Sequence, residues 1–361
     1  MADVKTKKRI IYLDYLRVLA IFGVLLNHIS ANWEGGELIN SSIALLYNSF
    51  GRIGVPLFLM LTGVLLLNNK LPIKDFIKRR YPRVIIPFLF WMTLLILYML
   101  FVLNPSLLNE NILEFAIVHY LSDRWYVWMI LGVYLIIPII ASFIKGTKME
   151  GVKYFLIIWL ITTALITLSM VFDFSLHYLD LVIFSGPIGY LMLGYYLHNK
   201  EISMSPKKVV SISLFVFILF TVIKTFILSQ DVVDPYAFRY FIFTMKSRLE
   251  IDTVSIVQVA ALFLIVKYMP KVTSGIYQKI TKFCNKEKVL LLIISISQAS
   301  YGIYLNHYFI TNTLKTYHFP FASLPSIIFV PLLAIIVLLL AYAIIMVLNR
   351  VPVINKLTGY H

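Results

Sequence analysis

The sequence predicts an all-α, polytopic integral membrane protein with about ten transmembrane helices and both termini in the cytoplasm. The composition, the length of the apolar segments and the charge of the loops all predict this class. Of the 361 residues, 60% are hydrophobic and 14% are charged, whereas soluble domains average about 25% charged residues. A soluble fold is therefore excluded, and we expect residues 1–361 to form a single transmembrane domain.

The apolar segments have the length of membrane spans. A helix needs ~20 mainly apolar residues to cross the ~30 Å hydrocarbon core of a bilayer. Ten segments of the chain approach this length and apolarity, which predicts ten spans. They cover about 10–30, 50–67, 84–103, 125–144, 152–171, 180–197, 208–228, 251–269, 289–313 and 325–348.

The loops between these segments differ in charge from one side of the membrane to the other. The N-terminus, the even-numbered loops and the C-terminal tail hold 24 of the 32 Lys and Arg residues, and the opposite side holds eleven of the 17 Asp and Glu residues. Cytoplasmic loops of membrane proteins are enriched in Lys and Arg, so both termini are predicted to be cytoplasmic. The net charge of +15 then reflects cytoplasmic loops, and we expect no nucleic-acid partner.

The first span carries three ionisable residues, Asp14, Arg17 and His28. An ionisable side chain near the bilayer centre costs ~2.5–3.5 kcal/mol. His28 lies within about 20° of Arg17 around the helix and roughly 16 Å further along its axis. Asp14 lies one turn before Arg17, where an ion pair can form. The three residues therefore share one stripe, which we expect to face a protein-lined interior.

His28, which follows Asn27, is the candidate general base of this stripe. The unperturbed pKa of imidazole, about 6.5, lies close to neutral pH, so the neutral ring can accept a proton. The alternative is that a histidine near the membrane interface only anchors the helix or makes a satisfied polar contact. Its position on the same face as Arg17 favours a functional role.

Arg80 and Arg83 stand one turn apart at the predicted inner mouth of the third span, where Pro82 and Pro87 constrain the helix entry. Two guanidinium groups at this spacing suit a phosphate or pyrophosphate, which Arg binds through paired hydrogen bonds. Such a ligand would approach from the cytoplasm. The alternative is an ordinary basic inner loop.

The ninth span has a second polar stripe. Ser297, Ser300, Tyr304 and His307 recur at spacings of three, four and three residues, which places them on one helix face. His307 lies in the outer half of its span, as His28 does. The two histidines are therefore expected to flank a common cavity.

Two spans are rich in Gly and Pro. In the second, Gly54, Pro56 and Gly63 are expected to permit close approach of the first helix. The sixth is expected either to be bent and to border a cavity or to pack closely against a neighbour through its small residues. Those residues are Gly186, Pro187, Gly189 and Gly194.

Trp125 and Tyr126 lie at a predicted outer interface, where they form either an aromatic belt or a surface that contacts a sugar or an acyl group. Metal chemistry is not expected. The single cysteine, Cys284, excludes an internal disulfide and a cysteine-based cluster, and no acidic and histidine residues have ligand spacing.

Five motifs in this order resemble the acyltransferase family 3 of integral-membrane O-acyltransferases, and within it the bacterial branch that acetylates surface polysaccharides. They spread from the first span to the ninth, and together they are specific. The motifs are Arg17-x10-His28, GVPLFLMLTG after Arg52, Arg80-x2-Arg83 followed by Pro87, Trp125-Tyr126, and Ser300-Tyr301-Gly302-Ile303-Tyr304-Leu305-x-His307.

The chain departs from the family pattern at two points. Asp123-Arg124 precedes the Trp-aromatic element, where the family often has a histidine. Thr62-Gly63 replaces the frequent Ser-Gly of the second span, which keeps a hydroxyl at that position. The middle of the chain, about 150–290, resembles the family only in its pattern of spans.

The resemblance implies transfer of an acyl group, most simply acetyl, from cytoplasmic acyl-CoA to a hydroxyl of a glycan or another acceptor outside the cell membrane. Acyl-CoA is then a donor substrate, and no cofactor is bound permanently. In this interpretation Arg80 and Arg83 hold the CoA phosphates, His28 acts as general base, and Asp14 holds Arg17 in place. The remaining candidate cavity residues are Asn27, Trp125, Tyr126, Ser300, Tyr304 and His307.

Two other functions fit the same features. A transporter or exporter of a polysaccharide or small solute would also have many spans, buried charges and a bent segment. An inactive scaffold of a glycan-assembly complex would share the fold without the chemistry. Further copies of the chain, membrane lipid and glycan-assembly proteins are the expected partners.

Overall fold

The structure, a computed structural model, describes residues 9–33, 38–68, 72–103, 125–171, 186–233 and 252–360, together with Pro105 and Glu114. It is 87% helical, and the described residues form no strand, so the predicted all-α class is confirmed. The helices are α1 (Ile11–Ser30), α2 (Leu38–Gly51), α3 (Gly54–Leu66), α4 (Ile73–Tyr98), α5 (Trp125–Val171), α6 (Ile188–Asn199), α7 (Pro206–Val233), α8 (Thr253–Tyr268), α9 (Gly275–Cys284), α10 (Glu287–Thr316) and α11 (Ser326–Leu348).

Within the described ranges, eight helical stretches are long and apolar enough to cross a membrane. Because α5 covers the predicted spans 125–144 and 152–171, these eight stretches account for nine of the ten predicted spans. The backbone of α5 leaves the helical conformation at Lys148 (φ 56°, ψ −145°), which lies between its two predicted spans. The remaining one is the sixth, of which the structure describes the part from residue 186 onwards, including α6. The first part of the predicted sixth span, 180–185, lies outside the described residues.

The second span begins earlier than the predicted position 50. An apolar helical stretch runs from Ile39 to Leu66, interrupted only briefly between α2 and α3. The residues that the sequence assigns to an outer loop therefore include α2, which packs against α1, α7 and α11. Polar residues such as Asn40, Ser41 and Ser42 conceal this helix from a hydropathy pattern.

Helix α1 is the central element, because it contacts α2, α3, α8, α10 and α11. Its approach to α2 and α3 is backbone to backbone: a Cβ on Gly51 would collide with Gly23 and Asn27, and one on Gly54 would collide with Ala20. The predicted close approach of the second span to α1 through Gly54 is confirmed.

Gly63 faces a different helix from the one predicted. A Cβ at Gly63 would collide with the backbone of Leu191 on α6, and a Cβ at Gly194 on α6 would collide with the backbone of Met60. Gly63 lies on the far side of α3 from α1, because it is nine residues beyond Gly54 on the same helix. Of the two alternatives predicted for the sixth span, the described residues thus favour close packing of α6 against a neighbouring helix through its small residues over a bend that borders a cavity.

We expect Gly63→Ala to destabilise the protein, because the added methyl group forces the backbones of α3 and α6 apart. Overpacking of this kind costs about 1–3 kcal/mol. The apparent melting temperature of the detergent-purified protein, followed by intrinsic fluorescence, measures the effect. Gly132→Ala on α5 is the matched control, since a Cβ there meets nothing within 4 Å. An equal or higher melting temperature for Gly63→Ala would contradict the packing.

Candidate active site

A cavity of about 210 Å³ lies between α1, α3, α4, α5 and α10. Helix α10 contributes Ser297, Ser300 and Tyr304 of the polar stripe predicted for the ninth span, but not His307. The described residues that line the cavity are Arg17, Phe58, Thr62, Arg80, Arg83, Val84, Tyr126, Ile130, Tyr134, Ser297, Gln298, Ser300, Tyr301 and Tyr304.

Three guanidinium groups reach this cavity. Arg17 comes from α1, and Arg80 and Arg83 come from successive turns of α4. The described lining residues include no carboxylate. Since like charges in a poorly solvated space repel one another, the cavity is suited to an anionic ligand that several guanidinium groups bind together.

The carboxylate of Asp14 lies beside the cavity and orders its inner part. Arg9 donates from Nε and Nη2 to the two carboxylate oxygens, at 2.8 and 2.7 Å. The hydroxyl of Ser297 donates to Asp14 Oδ1 at 2.7 Å and accepts from Arg17 Nη1 at 3.3 Å. The predicted ion pair between Asp14 and Arg17 is thus replaced by an Asp14–Arg9 pair, and Ser297 joins Asp14 to Arg17.

Asp14 pairs with Arg9 because Arg9 and Arg17 differ in their position relative to α1. Arg9 precedes α1, so its side chain can fold back over the first turn and pair with both oxygens of Asp14. Arg17 extends from the helix towards the cavity instead. Hydrogen bonding to Asp14 raises the pKa of the Arg9 guanidinium, so Arg9 remains charged.

The two predicted histidines lie against each other. The ring centroids of His28 on α1 and His307 on α10 are 5.3 Å apart, and the hydroxyl of Tyr308 lies 3.4 Å from His28 Nδ1. His307 is fully buried, and its Nδ1 donates to the carbonyl of Tyr304 at 2.7 Å. A carbonyl can only accept, so the neutral ring of His307 has its lone pair on Nε2.

A pair of tyrosines stands between the cavity and the histidines. The rings of Tyr126 and Tyr304 are 5.1 Å apart, and the ring of Tyr304 is 6.1 Å from that of His307. Both tyrosines line the cavity, whereas His28 and His307 are not among the described lining residues. The cavity therefore ends at the tyrosine pair, one side chain short of the histidines.

Of the predicted site residues, the structure brings Arg17, Arg80, Arg83, Tyr126, Ser300 and Tyr304 to one cavity.

Trp125 and Asn27 lie elsewhere. The Trp125 side chain is 46% exposed, and its ring contacts Tyr126 from outside the cavity. Asn27 Oδ1 accepts from Asn48 Nδ2 at 2.8 Å, and Asn48 Oδ1 accepts from the buried Arg52 at 2.7 Å. Asn27 thus belongs to a separate polar network that joins α1 to α2.

Eight of the fourteen described lining residues are not among the predicted site residues, and two polar ones, Tyr134 and Gln298, also lie outside every motif and stripe named from the sequence. Tyr134 follows Tyr126 and Ile130 at i, i+4 and i+8, so helical spacing from a predicted residue is a signal that identifies it. Gln298 directly follows Ser297. Nothing in its local pattern distinguishes it from other polar residues of α10.

The C-terminal segment reaches the cavity wall behind Gln298. The hydroxyl of Tyr360 donates to Gln298 Oε1 at 3.2 Å. The carbonyl of Thr358 accepts from Trp91 Nε1 at 3.0 Å, and it approaches so closely that a Cβ on Gly302 would collide with it. The tail thus packs against both α4 and α10.

A family model described as an acyltransferase domain matches residues 10–346. This range includes every described residue that lines the cavity and both histidines, and it ends before the C-terminal segment that contacts Gln298. No curated protein and no solved structure matches the chain.

We expect Ser297→Ala to lower stability, because it removes the hydroxyl that joins the buried Asp14 carboxylate to Arg17. Hydrogen bonds to charged groups contribute about 1.5–3 kcal/mol. Thermal unfolding in detergent measures the loss, with Ser323→Ala as control, since the exposed Ser323 hydroxyl donates only to the local Pro320 carbonyl at 3.0 Å.

A double-mutant cycle with Asp14→Asn tests the link between the two residues. If Ser297 and Asp14 share one interaction, Asp14→Asn costs less in the Ser297→Ala background than in the native protein. Additive losses would show that the two side chains act independently.

Proposed function

The chain belongs to the acyltransferase family 3 and is a multi-pass membrane acyltransferase, and from this membership we propose that it moves an acetyl group from cytoplasmic acyl-CoA to a glycan hydroxyl on the outer face of the cell membrane. The observation that carries the proposal is the arrangement along α1. Arg17 joins Arg80 and Arg83 at one cavity, and His28 meets His307 further along the same helix, towards the predicted outer side.

The cavity supports binding of the donor. Coenzyme A carries a pyrophosphate and a ribose phosphate, which are the anions that clustered guanidinium groups recognise. Arg80 and Arg83 lie in the first turns of α4, on the predicted cytoplasmic side, so they meet the phosphates there. Arg17, joined to Ser297 at 3.3 Å, lies deeper and guides the acyl-bearing arm inward.

The tyrosine pair then controls access to the histidines. Because the cavity ends at Tyr126 and Tyr304, the thioester reaches His28 only when these two rings separate. We therefore include a rotation of Tyr304 in the proposed reaction cycle. While the rings are in contact, they keep water on the histidine side away from the thioester of the bound donor. This limits hydrolysis of the donor.

His28 is the proposed general base. Its ring accepts the proton of the acceptor hydroxyl, the oxygen attacks the thioester carbonyl, and the carbon–sulfur bond breaks. The CoA thiolate that leaves takes the proton back from His28, so the residue is unchanged at the end of the cycle. A variant of this scheme has the imidazole attack the thioester first and form a transient acyl-histidine.

His307 supports His28 in this proposal. Its tautomer is held by the hydrogen bond from Nδ1 to the Tyr304 carbonyl, and its ring lies 5.3 Å from His28. The ring of Tyr304 lies 6.1 Å from that of His307, so a rotation of the tyrosine ring changes the surroundings of the histidine ring. Donor arrival and preparation of the base are thereby connected.

We expect neutralisation of Arg80 or Arg83 to weaken binding of acyl-CoA. Loss of a charge-assisted hydrogen bond costs about 1.5–3 kcal/mol, so Arg80→Gln and Arg83→Gln should each raise the dissociation constant by roughly 10–100-fold. Binding of labelled acetyl-CoA to the purified protein measures this. Arg79→Gln is the matched control, because Arg79 is exposed and does not line the cavity. Unchanged affinity in both test variants would remove their proposed role.

We expect His28→Ala to lower transfer by about 10²–10⁴-fold, the usual contribution of a general base, while acetyl-CoA binding is retained. Mass spectrometry of surface glycans from expressing cells detects the acyl increment. His318→Asn is the control, since His318 is exposed and asparagine tolerates its φ of 51°. Full transfer by His28→Ala would refute the assignment. A purified protein that binds no acyl-CoA but moves a solute would favour transport instead.

A further inference from the structure

Helix α9 has three distinct faces. It lies between α8 and α10, on the predicted cytoplasmic side. Tyr277, Thr281 and Cys284 recur at i, i+4 and i+7, and this face meets the protein. Tyr277 packs against the buried cluster of Val209, Val210, Tyr268 and Val272, and the Thr281 hydroxyl donates to the carbonyl of Met269 at 3.4 Å.

The second face is apolar and exposed. Ile276, Ile280 and Phe283 also recur at i, i+4 and i+7, and they are 66%, 41% and 57% exposed. Three large apolar side chains in one row are costly to leave in water, at about 25 cal/mol per Å² of apolar surface.

The third face is basic. Lys279 and Lys282 lie on it, and Lys286 and Lys288 follow the end of the helix. All four are exposed, and the Lys286 ammonium lies 5.5 Å from the centre of the Phe283 ring. In the sequence from 272 to 288 the single acidic residue is Glu287, so this surface is strongly cationic.

The neighbouring spans place α9 at the level of the membrane surface. Helix α8 ends at Tyr268, and α10 begins at Glu287. The exposed, lipid-facing side chains of α10 begin with Leu291 and Leu292, which are 59% and 46% exposed. The hydrocarbon region therefore starts within about one turn of α10, at ~1.5 Å per residue, directly beside α9.

From these observations we infer that α9 lies in the plane of the inner membrane surface and forms a binding site for anionic phospholipids. Its apolar face inserts among the acyl chains, and the lysines contact the headgroup phosphates. A helix with an apolar row, a protein-packed face and a basic face has the features of an interfacial helix. Each lysine near an anionic surface adds to the attraction.

Helix α9 is joined by a hydrogen bond to the N-terminal part of α1. Asn285, the residue after α9, accepts a hydrogen bond through Oδ1 from the Tyr15 hydroxyl at 2.7 Å. Tyr15 directly follows Asp14, which orders Ser297 and Arg17. A lipid that holds α9 at the membrane surface therefore also helps to fix the position of the first turns of α1, through the hydrogen bond between Asn285 and Tyr15.

The depth of α9 is tested with one fluorescent probe at a time. Cys284 is the single cysteine, so Cys284→Ser gives a background in which Ile280→Cys or Lys279→Cys accepts a bimane label. In vesicles that contain brominated phospholipid, we expect quenching at position 280 to be several-fold stronger than at position 279. Equal or weaker quenching at 280 would show that the apolar face stays outside the membrane and overturn the inference.

The headgroup preference is tested with the position-280 label. At equal mole fractions, brominated phosphatidylglycerol should quench more than brominated phosphatidylcholine. Changing Lys279, Lys282, Lys286 and Lys288 together to Gln should bring the quenching ratio of the two lipids close to one, because each lysine removed lowers the affinity for an anionic surface by about five-fold. The variants Lys145→Gln and Lys153→Gln, on exposed lysines of α5, serve as controls for a general loss of charge. A native protein without preference, or a preference that survives the four substitutions, would overturn the anionic-lipid site.

Discussion

The hydroxyl of Ser297 joins the two charges that α1 carries into the membrane. It donates to Asp14 and accepts from Arg17, while Arg9 pairs with the same carboxylate from outside the helix. An isolated ion in hydrocarbon is costly, so the Ser297 hydroxyl on α10 stabilises α1 as a span. The two helices that it joins also form one wall of the cavity and carry the two histidines that contact each other.

Close backbone contacts set the opposite wall. Gly54 brings α3 against α1, and Gly63 brings the other side of α3 against α6. Because α3 is fixed on both sides, Phe58 and Thr62 are held in the cavity lining. The Thr62 hydroxyl, which stands where the family frequently has serine, donates to the carbonyl of Phe58 at 2.8 Å, so its orientation is also set within the helix.

Most spans could be predicted from the sequence, because hydropathy is a local property of the chain. Helix α2 could not be predicted in this way, because its polar side chains form hydrogen bonds with segments that are distant in the sequence. Asn48 donates to Asn27 on α1, and the Ser49 hydroxyl accepts from Thr225 on α7 at 3.0 Å. A local pattern counts these groups as exposed, whereas tertiary packing buries them with partners. The partner of Asp14 could not be predicted from a local pattern either. Helical spacing favours Arg17, whereas the observed partner, Arg9, lies before the start of the helix.

The shared face of Arg17 and His28 follows from helix geometry alone, but the barrier between them does not. Spacing along one helix gives an angle and a distance, and it contains no information about what the facing helices place in between. Here α5 and α10 place Tyr126 and Tyr304 there, with their rings 5.1 Å apart. Both ring faces are apolar, so their contact is stabilised by burial and edge-to-face geometry, whereas a polar barrier would hold water. The rings of Tyr126 and Tyr304, contributed by two different helices, thus form an apolar wall of the cavity on the side of the histidine pair.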